Sequence, residues 1–149
     1  MKLPLVTNTL GYAGLLPFFA AAWATHANIS FGEWSASFVF LSYSAIILSF
    51  LSGALWGKAK ELEESDVSRV LLILSNVFAL SAWLAILLGK AYLSAGLAIS
   101  LIGFILVYLI EQQMQGLLLK DMGSAYLNFR RVLTTAVCLA HLLILALIN

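Results

Sequence analysis

The stretch F38-V-F-L-S-Y-S-A-I-I-L-S-F-L-S-G-A-L-W56 contains no charged side chain. As an α-helix rising 1.5 Å per residue it would be about 28 Å long, close to the roughly 30 Å of hydrocarbon in a bilayer. Four more runs read the same way, at Leu5 to Ala24, Val70 to Leu88, Ala91 to Ile110 and Val132 to Ile148. Of the 149 residues, 62% are hydrophobic and 10% charged, against roughly 25% charged in a soluble domain. The expectation is an all-α integral membrane protein, residues 1–149 forming a single membrane domain built as a five-transmembrane-helix bundle. The first run, with Lys2 ahead of it and Ala22-Trp23-Ala24 behind, has some features of a signal peptide; it is read here as a retained span.

Lysine and arginine in short connections set orientation. With five spans, one side of the membrane carries Lys2, Lys58, Lys60, Arg69, Lys120, Arg130 and Arg131, and the other Lys90 alone. This asymmetry predicts a cytoplasmic N-terminus and an outer C-terminus in a bacterial inner membrane or, in a eukaryote, an N-terminus in the matrix of the mitochondrial inner membrane. A net charge of +1 argues against a nucleic-acid partner, and "GKAKELEESDVSR" (57–69) reads as a solvated linker of mixed charge. Membrane lipids are the expected surroundings, with a membrane-protein partner, a second copy or a lipophilic ligand as further partners.

The connection at Gly89-Lys90 is so short that spans three and four must form a tight antiparallel hairpin. Pro17 lies near the middle of span one, where it removes a backbone donor, frees the carbonyl of Ala13 and predicts a kink made for packing. In "EQQMQGLLLKDMGSAYLNFRR" (111–131), Met114, Leu118, Met122, Ala125 and Phe129 recur every three or four residues. They predict a short amphipathic interfacial helix between spans four and five.

Along the opening stretch and one residue past it, Ala45, Ser49, Gly53 and Gly57 follow one another at steps of four. Such a small-residue ridge lets two helix backbones approach closely in lipid. It is expected to pack against a helix of the bundle or of a partner, so that Gly53→Leu would force the backbones apart. Tyr43 and Ser49 add hydroxyls, and Trp56 sits where an interfacial aromatic anchor belongs.

"SYSAIILSFLSGALWG" (42–57) resembles the small integral-membrane family that includes mitochondrial transmembrane protein 69 and many bacterial proteins of unknown function. Tyr43, Leu48, Ser49, Phe50, Gly53, Trp56 and Gly57 carry the match, and Ser52 stands where relatives have glycine. A second match lies in "YLNFRRVLTTAV" (126–137), at Tyr126, Arg130 or Arg131, Leu133 and Thr134. The resemblance implies a bacterial or mitochondrial inner-membrane protein, and it supplies no activity.

The last span places Arg131, Thr134, Cys138 and His141 at steps of three and four, which predicts one shared side. Counting from Val132, His141 lies roughly 13 Å into the membrane, near its midplane. An ionisable group at that depth is a site candidate by default, yet a neutral imidazole rests there easily once its N–H meets a carbonyl or hydroxyl. The neighbours of Thr134, a serine of span two and the carbonyl freed by Pro17 are partners in reach. A quinone-type hydrogen bond to a ligand, a proton relay and a metal role are the functional readings. Glu111, where span four ends, is placed to pair with Arg130 or Arg131, and these arginines are also placed to hold anionic lipid headgroups.

The ligand-binding candidates are therefore His141, Thr134, Tyr43, Ser49, Trp56, Tyr126, Arg130 and Arg131, and the helix-packing candidates Ala45, Ser49, Gly53, Gly57 and Pro17. His26 lies about half a membrane from His141, too far in depth for a haem held by both. The lone Cys138 makes no internal disulfide or cysteine cluster, and buried in hydrocarbon it is a poor nucleophile. No catalytic residue and no metal site are assigned, and no cofactor is identified. The expected function is a non-enzymatic binding or assembly module, holding a lipophilic molecule or a partner subunit in a polar pocket near the last span. The alternative is a small transporter or channel with a polar path along His141, Thr134 and Tyr43.

Overall fold

A computed structural model of the protein describes residues 3–62, 65–114 and 124–149. The element order is α1 (Leu3–Ala13), α2 (Leu16–His26), β1 (Ser30–Phe31), β2 (Trp34–Ser35), α3 (Ala36–Glu61), α4 (Asp66–Gly89), α5 (Leu93–Gln113) and α6 (Ser124–Ile148). Together α1 and α2 make the first of five segments long and apolar enough to cross a membrane; α3 to α6 supply the other four. Ile46, Phe50, Ile73, Leu80, Trp83 and Leu139 are exposed on the outside of this all-α bundle. Facing water they would form an uncovered apolar surface; facing acyl chains they are in their natural solvent.

Local chemistry sets the helix ends. The hydroxyls of Ser35 and Ser65 accept from the backbone N–H of Phe38 and Ser68, each at 3.2 Å, and so start α3 and α4 with a cap. Between α2 and α3 the sequence alone predicted only a connection, but the chain makes a two-stranded antiparallel hairpin there. It pairs Phe31 with Trp34 across a turn where Gly32 takes the left-handed φ of 64°.

The first span is two helices. The break falls at Gly14–Leu15, and Pro17 sits in the first turn of α2, where the missing N–H would have had no helical partner anyway. The kink expected in this span is present as that break, which Pro17 shapes by starting α2; the proline itself is exposed and is not one of the packed residues. The carbonyl engaged at the break is that of Gly14, which accepts from the Tyr43 hydroxyl at 3.0 Å.

The core stripe of α3 runs through Leu41, Ala45, Leu48, Ser52, Leu55 and Ala59, all buried, at spacings of three and four. This corrects the small-residue ridge as a contact within the bundle. Steps of four advance about 40° beyond a full turn each, hence about 120° from Ala45 to Gly57. The ridge begins in the core at Ala45 and rotates outward; Ser49, Gly53 and Gly57 are exposed, and a Cβ added at either glycine would meet nothing within 4 Å.

Close approach happens at α4 and α5, joined through Lys90–Tyr92 as the antiparallel hairpin the sequence predicts. A Cβ on Gly96 would lie 2.5 Å from the carbonyl oxygen of Ala85 and 3.0 Å from Cα of Gly89, and Leu41 of α3 fills the notch these glycines leave. Gly103 receives Leu48 in the same way, a Cβ there falling 2.5 Å from the leucine.

The last helix begins at Ser124, eight residues before the expected start at Val132. Ala125 and Phe129, assigned above to an interfacial helix, belong to it. Met114 instead closes α5, and the remainder of that expected helix, around Leu118 and Met122, lies outside the described residues.

Candidate functional site

Lys58 near the end of α3, Glu111 near the end of α5 and Arg130 near the start of α6 come to the same level of the bundle. Glu111 is 2% exposed, and its carboxylate takes the Arg130 Nε–H at 2.7 Å on one oxygen and faces Lys58 Nζ at 3.5 Å with the other. A carboxylate buried this far is tolerable only when paired and hydrogen-bonded. Lys58 also lies 5.3 Å above the Tyr126 ring, a cation–π contact.

Among the described residues, two cations against one carboxylate leave the cluster with a formal surplus of one positive charge. A guanidinium has five N–H donors, and Arg130 uses its Nε on Glu111, while its Nη2 is buried with no hydrogen-bond partner among the described residues. Neighbouring Arg131 points the other way, exposed and bonded to the Asn128 amide oxygen at 3.1 Å. Consecutive residues lie about 100° apart around a helix, so of the two arginines only Arg130 reaches the interior.

Deeper in the bundle, His141 is fully buried. Its Nδ1 is 2.8 Å from the carbonyl oxygen of Val137, one turn back, and its Nε2 is 2.8 Å from Ser44 Oγ on α3. A carbonyl can only accept, which assigns the proton to Nδ1 and makes Nε2 the acceptor of the serine O–H. Both ring nitrogens are engaged, and the ring is boxed in by Phe40, Phe104 and Phe18 at centroid distances of 4.9, 5.6 and 6.1 Å. In this geometry it ties α6 to α3 and offers no free nitrogen to a ligand.

Between these two features runs a cleft of about 490 Å³. Leu10 and Leu15 of the first span, Ile47 and Leu51 of α3, and Leu133 and Val137 of α6 make its walls; Glu111, Tyr126 and Arg130 stand at one end and Phe18 and Phe104 at the other. Its polar groups are gathered near one end, with Thr134 between. The break at Gly14–Leu15 and Gly11 of α1 border the cleft. Gly11 lies so close to the Phe129 ring that a Cβ would collide with it, and Tyr12 meets the same ring edge-on at 5.3 Å.

Residues 3–146, which include every one of these side chains, match the family model described as Protein of unknown function (DUF3429). The chain belongs to the DUF3429 family. No curated protein and no solved structure matches it.

In this DUF3429 protein the sequence candidates separate into three groups. Arg130, Thr134 and Tyr126 line the cleft. His141 lies behind Phe18, and Tyr43, in edge contact with Phe18 at 4.9 Å, is committed to Gly14; both support the cleft without lining it. Ser49, Trp56 and Arg131 are exposed on outer faces and are not brought to it. The side shared by Arg131, Thr134, Cys138 and His141 is broken at Arg131, because steps of three, four and three leave it about 80° from His141.

Phe18, Ile47, Leu51 and Lys58 were absent from the sequence candidates. For Lys58 a signal existed: it ends span two on the side where span four ends in Glu111 and span five begins with two arginines. Nothing in the sequence distinguishes Phe18, Ile47 and Leu51 from other apolar residues. Among the described residues, no three His, Cys, Asp or Glu side chains come together as a metal ion would require.

Proposed function

We propose that this DUF3429 protein is a non-enzymatic membrane binding module that holds one lipophilic molecule in the cleft between its first span, α3 and α6. One observation carries the reading: an apolar cleft of about 490 Å³ that meets polar groups mainly at one end. Ligand sites of roughly 300–1,000 Å³ are typically apolar, with a few convergent polar groups that fix orientation. A polar path for transport through His141, Thr134 and Tyr43 is less well supported, because Phe18 stands between the cleft and an imidazole whose nitrogens are both engaged.

The same proposal places the Lys58 and Arg130 end, by the positive-inside asymmetry, in the cytoplasm of a bacterial inner membrane or in the matrix of a mitochondrial one, and keeps the kinship with transmembrane protein 69 that the two sequence motifs suggest. Native mass spectrometry of the protein released from mild detergent, with an absorption spectrum of the same sample, tests the binding reading. A retained lipophilic adduct is expected, and Leu51→Trp, which fills the cleft from α3, is expected to lose it while keeping the helical circular-dichroism spectrum. A bare wild-type protein, or an adduct that survives the filled cleft, would overturn the proposal.

A further inference from the structure

We infer that the molecule held in the cleft is an anionic lipid whose headgroup oxyanion is received by Arg130 Nη2, its acyl chain running toward Phe18; this rests on the binding reading above. The Arg130 side chain is only 9% exposed, borders the cleft, and is fixed through Nε by Glu111. Its Nη2 has no acceptor among the described residues. A buried guanidinium donor without an acceptor is costly, and the cleft is the open space beside it. An oxyanion there would accept a charge-assisted hydrogen bond, the strong kind that guanidinium forms with phosphate and carboxylate oxygens.

Charge selects among lipids. Lys58, Arg130 and Glu111 sum to one positive charge in a site largely shielded from water, so a headgroup of net charge −1 neutralises it. A zwitterionic headgroup brings its own ammonium toward Lys58 and Arg130, and like charges repel more strongly where water is sparse. The apolar walls supply the second half of the recognition, which a free anion lacks. The ligand chemistry is therefore an oxyanion joined to an acyl chain, with the surrounding bilayer as its source.

Native mass spectrometry of the full chain in micelles containing equal amounts of phosphatidylglycerol and phosphatidylcholine of matched chains tests this. The anionic lipid is expected to be retained over the zwitterionic one by about tenfold, equivalent to about 1.4 kcal/mol. Arg130→Gln is expected to bring the two close to parity while the cleft still retains lipid, and Arg130→Lys, which keeps the charge against Glu111 but loses the fork, to lose most of the preference. Arg131→Gln removes the same charge from the exposed neighbour and is expected to change nothing. Equal retention of both lipids by the wild type, or equal losses from Arg130→Gln and Arg131→Gln, would overturn the inference and leave the binding reading standing. Absence of any retained lipid would overturn both. Displacement of the adduct by millimolar inorganic phosphate would show that a free oxyanion is the ligand and would overturn the lipid assignment.

Discussion

Glu111→Gln is the substitution that most directly tests the polar end of the cleft. The carboxylate is 2% exposed and holds Arg130 at 2.7 Å and Lys58 at 3.5 Å. Its amide replacement keeps the shape and removes the charge, leaving two cations facing each other across a neutral group. Breaking a buried pair from one side costs about 3–5 kcal/mol, because the remaining charge stays desolvated and uncompensated. Lys58 can relieve part of this, since its side chain is 18% exposed and a lysine stem can lift its ammonium toward water. The guanidinium of Arg130 has no such exit, and the expected loss is therefore about 3 kcal/mol, toward the lower end of that range. Arg130→Gln leaves Glu111 its second partner, Lys58, and is expected to cost less. The double variant should cost less than the two single losses combined, as residues in one network do. Equilibrium unfolding in mixed micelles of mild detergent and dodecyl sulfate reads these differences. A Glu111→Gln protein within 1 kcal/mol of wild type, or strict additivity in the double variant, would refute the buried-cluster argument.

Three other outcomes follow from the packing. Gly96→Ala drives a methyl against the Ala85 carbonyl and is expected to destabilise by about 1–3 kcal/mol, whereas Gly53→Ala meets open space and gains up to about 1 kcal/mol in helix propensity; the same unfolding assay compares them, and equal effects would contradict the close approach of α4 and α5. Gly53→Leu, expected from the sequence to force helices apart, should leave the isolated bundle folded by circular dichroism. Ser44→Ala leaves the His141 Nε2 acceptor buried without a donor and is expected to cost about 1–3 kcal/mol; pairing it with His141→Leu should restore part of that loss, and a double variant no better than the sum of the singles would argue against the Ser44–His141 bond.

The five spans were legible because a membrane demands long uncharged runs, and the α4–α5 hairpin because a connection of so few residues allows nothing else. That Glu111 pairs with one of the two arginines was legible too, because an acid and a base at matching ends of consecutive spans have each other as the nearest compensation; that it is Arg130 came from the helix phase, which turns Arg131 outward. Three features were not. The start of α6 at Ser124 was hidden because Asn128, Arg130 and Arg131 end a hydropathy run, although polar residues do not end a helix. The outward turn of the small-residue ridge was hidden because regular spacing by four looks like a face until its drift is counted along four residues. The cleft was hidden because a void depends on which apolar side chains meet, and Phe18, Ile47 and Leu51 carry no mark of that in one dimension.

The break at Gly14–Leu15 makes the walls of the cleft mechanically unequal. Parting α6 from α3 would sever the hydrogen bond between His141 and Ser44 and open a packed aromatic box. On the other side, α1 meets α6 through Gly11 and Tyr12 against the Phe129 ring and Gly11 beside Leu133, while the Tyr43 hydroxyl holds the chain at the Gly14 carbonyl. On the binding reading proposed above, the divided first span is the wall a lipid would pass, sideways from the membrane plane and without crossing water.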